Sequence, residues 1–285
     1  MSNRVKLSTV TTYKFGGYCD NFIELKTKDD LKKIQSIDNL KNIFILGKGS
    51  NVAFSDKGYR GSVIRTELSN INYDSKSDEI KVDSGYYLPE LSRFYKENSL
   101  DNAEFLIGIP GTVGGAVKMN AGAYENEFSD LVKYVETYNF ETSSFEIFNK
   151  KELEFSYRNS KNLKNQILLS VTLNAFQGDP KKINDTIKSY INYRKKTQPA
   201  GIYNAGSVFK NGTDYSAGEL IDKAGLKGYS VDGVKVSEKH ANFFIAPKGS
   251  KAVSLYNLVN HVKEKIDQKY GISLEKEILF VGDFE

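Results

Sequence analysis

Ile107-Gly108-Ile109-Pro110-Gly111-Thr112-Val113-Gly114-Gly115-Ala116 is the stretch on which the reading of the fold turns. Pro110 sets a rigid turn between two glycines. The glycines beyond it open a helix whose first N–H groups have no partner inside the helix and attract phosphate. The residues that follow, Met119-Asn120-Ala121-Gly122-Ala123-Tyr124, are small, so a flat group can pack close against backbone. A pyrophosphate joined to an aromatic ring fits both halves. The same glycines and proline break the apolar run from Phe105 to Val117, which falls short of the roughly 18 residues of a spanning helix.

Upstream, Leu46-Gly47-Lys48-Gly49-Ser50-Asn51 is a second glycine loop, placed at the end of a buried apolar run. It is not a Walker A loop, because Gly49 follows Lys48 where Ser or Thr is required, and not a dinucleotide fingerprint, because its third glycine is Val52. What remains is a nest of backbone N–H groups able to hold an anion, or else a plain strand-to-strand turn. Most of the 23 glycines gather at Gly16 and Gly17, at Gly47 to Gly61, at Gly108 to Gly122 and at Gly201 to Gly233.

Between these clusters the hydrophobic pattern alternates. Asn21 to Lys26, Asn42 to Leu46 and Gly61 to Arg65 read as strands around a short helix, Lys28 to Ile37, which makes a small α/β unit. A larger α+β unit follows: a strand from Glu79, a helix near Leu88 to Asn98, the helix opened after Gly111, and strands near Leu131 to Phe140, Ser144 to Phe148 and Gln166 to Phe176. Gly178-Asp179-Pro180 is a turn, and the domain boundary is placed there. Beyond a helix at Lys181 to Lys196 come a strand at Ser207 to Phe209, a helix at Ala217 to Ala224 and short strands near Val234 and Asn242. A long helix carries Leu255, Leu258, Val259, Val262 and Ile266 on one face with Ser250 as its expected N-cap, before a last strand, Glu277 to Val281.

Composition narrows the class. A chain of 285 residues with 39% hydrophobic and 27% charged residues and a mean hydropathy of −0.46 reads as globular, with two domains at roughly 150 residues each. The net charge of +4 and pI of about 8.7 fall below the range of a dedicated nucleic-acid binder. With one cysteine, Cys19, there is no internal disulfide and no cysteine metal cluster; no metal is expected, and the absence of an apolar leader points to the cytoplasm. Only six of the 40 basic residues are arginine, so some arginines are expected where a planar fork is needed.

In order along the chain, Thr12 to Gly17 (TYKFGG), Leu46 to Asn51 (LGKGSN), Gly108 to Tyr124, Tyr157-Arg158-Asn159-Ser160, Asn204 to Asn211 (NAGSVFKN), Ala224 to Gly228 (AGLKG), Val236 to Asn242 (VSEKHAN) and Leu274 to Glu277 (LEKE) resemble the UDP-N-acetylenolpyruvoylglucosamine reductase family. The resemblance runs from about residue 9 to 282. It implies an α+β protein: a two-lobed FAD-binding domain of the vanillyl-alcohol-oxidase (PCMH) type, with lobes at 1–66 and 67–177, followed by a smaller α+β substrate-binding domain at 178–285. The chain departs from the family at Thr11 (Asn), Gly212 (Pro) and Lys276 (Pro). Its length resembles that of the compact members, which lack an extra loop with a substrate-closing tyrosine.

The resemblance also implies a reaction and roles. Hydride passes from NADPH to noncovalently bound FAD and then to the enolpyruvyl C3 of a UDP-sugar, and a proton reaches C2. Arg158 matches the position that forks onto the substrate carboxylate, Ser207 the proton donor to C2, and Glu277 an assisting acid. The cofactor is expected on Leu46, Gly47, Lys48, Gly49, Ser50 and Asn51, on Gly108, Ile109, Pro110, Gly111, Thr112, Gly114 and Gly115, and on Asn120, Ala121 and Gly122. Lys210 and Asn211, and Lys195 and Gln198 at the end of the basic run from Arg194, are expected at the UDP moiety, although that lysine run also fits a solvated helix end. His240 is expected to order its turn by hydrogen bonds. The partners are then small molecules, with no nucleic acid and no membrane insertion, and the protein is a monomer. Two alternatives are another FAD oxidoreductase of the same fold acting on a sugar or alcohol, and a nucleotide-binding regulator without enzymatic activity. The first would lack NAGSVFKN and LEKE, the second the arginine and the acids.

Overall fold

A computed structural model describes residues 4–37, 42–199 and 203–284; Gly201 lies outside them. The described chain gathers into two compact units, one of residues 22–48 and 62–194, the other of 1–21, 49–61 and 195–285. These limits cut across the expected segments 1–66, 67–177 and 178–285. The physical reason is a strand pairing: Val52–Phe54 runs parallel to Leu279–Val281, which joins a piece of the N-terminal third to the C-terminal end.

The unit containing 62–194 is built on a five-stranded antiparallel sheet in the order Ser144–Asn149, Val132–Asn139, Gln166–Asn174, Glu79–Asp83, Ile71–Asp74. Its central strand, Gln166–Asn174, is buried at every position but the last. A register shift opposite Glu136 and Thr137 leaves Leu169 as an extra residue between Leu168 and Ser170. An inserted residue reverses the two-residue alternation of faces. Ile167 and Leu169 therefore enter a core with Leu31, Ile34 and Tyr138, whereas Val171 and Leu173 face Leu88, Leu91, Val113 and Val117. One strand thereby serves two cores. The helices Leu88–Glu97 and Val113–Met119 and the parallel pairing of Ile43–Leu46 with Ser62 to Arg65 follow the sequence reading.

The other unit packs Tyr13, Phe15, Ala53, Phe209 and Phe244 against the stripe Leu255, Leu258, Val259, Val262 and Ile266 of the Ala252–Tyr270 helix. Beside it lie the Ala217–Lys223 helix and a three-stranded sheet of Ser230–Val231, Val234–Val236 and Phe244–Ile245. Three local expectations are corrected here. Lys251, not Ser250, is the N-cap of the long helix and gives no side-chain cap. The carboxylate of Asp56 accepts instead from the N–H groups of Ala252 (3.1 Å) and Val253 (3.2 Å), a cap supplied from 196 residues away. Ser207 to Phe209 is not a ladder strand: Ser207 bridges Phe243 and Phe209 bridges Lys276 as isolated pairs. The last strand begins at Leu279, so Glu277 sits on its approach.

Candidate active site

In the unit of residues 62–194, the two glycine loops read from the sequence meet. A Cβ built on Gly47 would lie 2.5 Å from the Oγ1 of Thr112, so only glycine lets the first loop lie against the second. Gly47, Lys48, Arg65, Gly85 and Thr112 help to line a recess of about 260 Å³. Lys48 extends its ammonium over the Tyr87 ring at 5.6 Å, and Arg65 pairs with Glu67 at 2.9 Å. Along the loop, the N–H groups of Lys48, Gly49 and Ser50 donate to no acceptor among the described residues. Gly49 is buried at φ +67 with its Cβ direction blocked by the backbone of Val10 and Thr11, and its carbonyl accepts from the N–H of Thr12 at 3.0 Å. Glycine is required there by both conformation and space.

The helix behind Thr112 behaves otherwise than expected. Its first N–H groups are already bonded: Val113 to the Tyr86 carbonyl (3.0 Å), Gly114 to the Ser84 carbonyl (2.7 Å) and Gly115 to Thr112 Oγ1 (3.4 Å). The first three N–H groups of this helix thus have acceptors within the protein. The glycine pair also splits. Gly114 is buried against Ser84, where an added Cβ would meet side chain at 3.1 Å, while Gly115 is exposed and an added Cβ would meet only Thr112 Oγ1 at 3.6 Å. Gly108 is filled by the Arg194 side chain, the Gly111 carbonyl accepts from Leu88 at 3.0 Å, Ile109 packs on the core, Leu46 is buried and Pro110 is exposed.

Asn120 closes this helix in the left-handed region, φ 40. It is fully buried, donating to Glu127 (2.7 Å) and the Ser156 carbonyl (3.1 Å) and accepting from the Ser129 N–H (3.0 Å). Its side-chain amide is held by protein partners on both its nitrogen and its oxygen. Ala121 takes part through its backbone, accepting from Phe128 at 2.8 Å. The Ser156 contact places the next candidate. Ser156 and Asn159 exchange two backbone hydrogen bonds of 3.0 Å, leaving Tyr157 and Arg158 at the tip of a two-residue turn. Arg158 is left-handed, φ 55, donates from Nη2 to the Gly122 carbonyl at 3.0 Å and lies over the Tyr157 ring at 4.8 Å. Nearby, Tyr124 stacks on Tyr190 at 3.8 Å. Burial pulls the Arg194 guanidinium below its ordinary range, opposed by Tyr124. Of the basic run 194–196, only Arg194 is drawn inward, while Lys195 and Lys196 are exposed. Nothing in their sequence distinguished them beyond Arg against Lys.

In the other unit, residues far apart in sequence come together. The N–H of Glu277 donates to the Val208 carbonyl at 2.8 Å and the N–H of Lys210 to the Glu275 carbonyl at 2.9 Å. The segments of Ser207 and Glu277 are therefore direct neighbours. Both residues are half-buried. Gly206, at φ +75 with open space around it, gives its N–H to Asn204 Oδ1 at 3.1 Å and turns the chain so that Ser207 follows. Asn242, which the sequence reading assigned no role, grips the segment: its Oδ1 accepts from Phe209 N–H (2.9 Å) and its Nδ2 donates to the Phe209 carbonyl (2.8 Å). His240 Nδ1 accepts from the Asn242 N–H at 3.2 Å, ordering the turn. Asn51 Nδ2 donates to the Glu277 carbonyl at 3.0 Å, so the end of the anion loop is tied to the acid. Lys210 pairs with Glu275 at 2.6 Å, and Asn211 Oδ1 accepts from Ala217 N–H at 3.0 Å, holding the next helix. Gln198 is half-buried before Pro199, and the Lys195 carbonyl accepts from Lys239 Nζ at 2.6 Å.

Each departure from the family pattern has a local partner. Thr11 is buried and donates to the Phe15 carbonyl at 3.1 Å. Gly212 donates to the Tyr215 carbonyl at 3.0 Å and has the Tyr215 ring where a Cβ would be. Lys276 holds its ammonium over Tyr256 (5.4 Å) and Phe280 (5.5 Å).

Comparison with known proteins decides the family. Residues 198–281 match the UDP-N-acetylenolpyruvoylglucosamine reductase C-terminal domain, and 19–142 match an FAD binding domain. The UDP-N-acetylenolpyruvoylglucosamine reductase of Anoxybacillus flavithermus is 38% identical over 281 residues, covering 97% of this chain and 93% of that one. The chain belongs to this family. The Bacillus subtilis member is 35% identical over 280 residues, covering 97% and 92%. The crystal structure of the UDP-N-acetylenolpyruvylglucosamine reductase (MurB) of Thermus caldophilus superposes with a TM-score of 0.87 at 32% identity, over 99% of both chains. The recess lined by Gly47, Lys48 and Thr112 fits the FAD that the matched domain binds: the Lys48 N–H has no acceptor among the described residues, its ammonium lies over the Tyr87 ring, and Gly47 puts no side chain between the two loops. Among the described residues no helix is long and apolar enough to cross a membrane.

Proposed function

We infer that this chain catalyses the reaction its family is named for, reduction of the enolpyruvyl ether of UDP-N-acetylglucosamine to UDP-N-acetylmuramate with NADPH, a step of peptidoglycan precursor synthesis. Bound FAD supplies the hydride relay between NADPH and the substrate C3. The observation that carries the assignment of acids is the pairing of the Ser207 and Glu277 segments through Val208. Hydride arriving at C3 leaves negative charge on C2 and its carboxylate, and the second hydrogen must come as a proton. Ser207, on a segment clamped by Asn242, donates that proton to C2. Glu277, beside it and tied to Asn51, serves as the assisting acid. Arg158, aimed by the Gly122 carbonyl, forks onto the carboxylate and stabilises the charge that develops there.

The loop of Gly47 to Asn51 with Lys48 holds the FAD pyrophosphate without a covalent link, and Gly115 leaves room beside it. The segments 1–66 and 67–177 act as the two FAD lobes, and 178–285 supplies the substrate side, with Lys210, Lys195 and Gln198 toward the UDP group. The match of residues 198–281 disfavours a sugar or alcohol oxidase of the same fold. The protein works as a cytoplasmic monomer on small molecules. Anaerobic mixing of the yellow protein with NADPH should bleach the flavin, and adding the enolpyruvyl substrate should restore its colour. A flavin that NADPH bleaches and the substrate leaves bleached would reject the reading.

A further inference from the structure

A second recess, of about 610 Å³, opens in the unit that holds Ser207 and Glu277, at the opposite end of its strands. Asn51 and Glu277 precede the parallel strands Val52–Phe54 and Leu279–Val281, whereas Ser55 to Lys57 and Asp283, which line the recess, follow them. Three residues at about 3.3 Å each separate the two ends by about 10 Å. We propose that this recess is a binding site for a phosphate-bearing small molecule, distinct from the site of reduction.

Charge is the first argument. Lys6, Lys14, Lys57 and Lys251 face the recess together with Asp56 and Asp283. Both carboxylates have other work: Asp56 caps the long helix at Ala252 and Val253, and Asp283 pairs with Lys57 at 2.7 Å. Lys6, Lys14 and Lys251 are exposed and have no ion-pair partner among the described residues, so three unpaired lysines line a space of ligand size. Conformation is the second. Lys14 sits at φ 61, a region in which glycine or asparagine is at ease and lysine is not, between the buried and mutually stacked rings of Tyr13 and Phe15. The turn needs no lysine, and its side chain serves the recess. Gly249, at φ +91 with nothing within 4 Å of its Cβ direction, keeps one wall open, and Phe284, whose ring packs on Tyr256 and Phe280, lies at its edge. Three lysines match the two to three negative charges of a diphosphate, free or carried on a nucleoside.

The test uses the FAD-loaded protein saturated with its enolpyruvyl substrate, so that the reduction site is filled. Calorimetric titration with inorganic pyrophosphate and with ADP should show one site per chain whose affinity falls with added salt. Lys14→Gly, which relaxes the backbone, and Lys251→Gln should each weaken it about tenfold, with FAD content and turnover unchanged. Tighter binding of ADP than of pyrophosphate would mark a nucleotide site, and equal binding a site for the diphosphate alone. No saturable binding of either probe, or equal affinity in wild type and both variants, would overturn the proposal.

Discussion

At Ser207 the side chain rides on a segment held by Phe243 on one side and, two residues on, by Lys276, so deleting its hydroxyl alters chemistry and leaves geometry in place. Ser207→Ala should leave flavin reduction by NADPH near normal and slow reoxidation by the enolpyruvyl substrate roughly 100- to 10,000-fold; equal slowing of both half-reactions in stopped flow would point to a flavin-binding defect instead. Glu277→Gln should slow the same half-reaction while leaving flavin reduction by NADPH near normal, and a reoxidation rate unchanged from wild type would remove Glu277 from proton transfer. The two adjacent glycines call for opposite outcomes. Gly114→Val must push into Ser84, so its thermal midpoint should drop; Gly115→Val meets only Thr112 Oγ1 at 3.6 Å, an ordinary contact, so the fold should survive while FAD content falls. In the sequence the pair is indistinguishable, because the difference lies in Ser84, a turn residue thirty positions earlier.

The Ala252–Tyr270 helix shows what an element owes to distant residues. Its apolar stripe was legible, since Leu255 to Ile266 repeat at the spacing that faces a core. Its cap was not, because the acceptor for Ala252 and Val253 is Asp56 and no local motif records it. Asp56→Ala should lower stability by about 0.5–2 kcal/mol, the cost of losing a helix cap, read as a shift in urea midpoint with little change in the slope. Asp56→Asn, which keeps an acceptor, should recover most of it. The short helix Val113–Met119 makes the complementary point: its glycine-rich start was correctly read as a helix start, but its N–H groups go to Tyr86, Ser84 and Thr112.

Across the whole molecule, proton linkage should be visible through Glu104, which is buried. Desolvation, and then a hydrogen bond with Asp101, raise its pKa from 4.5 to about 7. The folded chain therefore holds this proton more tightly than the unfolded chain does. Stability from this group is complete below about pH 4.5 and is lost as pH rises through about 7. The urea midpoint should fall between pH 5 and pH 8, and Glu104→Gln should remove part of that fall; identical pH dependence in the variant would sink the assignment. Sequence alone determined the glycine loops, most helices and strands, and the ordered motifs that match the family, because each depends on neighbouring residues: glycine where φ is positive, periodic apolar positions, a proline at a turn. Tertiary structure alone decided which of those groups are still available to a ligand. The side-chain amide of Asn120 is held by Glu127, Ser129 and Ser156, while the segments of Ser207 and Glu277, seventy residues apart, became neighbours through backbone hydrogen bonds at Val208 and Lys210. A motif dictates the path of the chain, but a polar group is free or engaged according to partners that only folding brings within 3 Å.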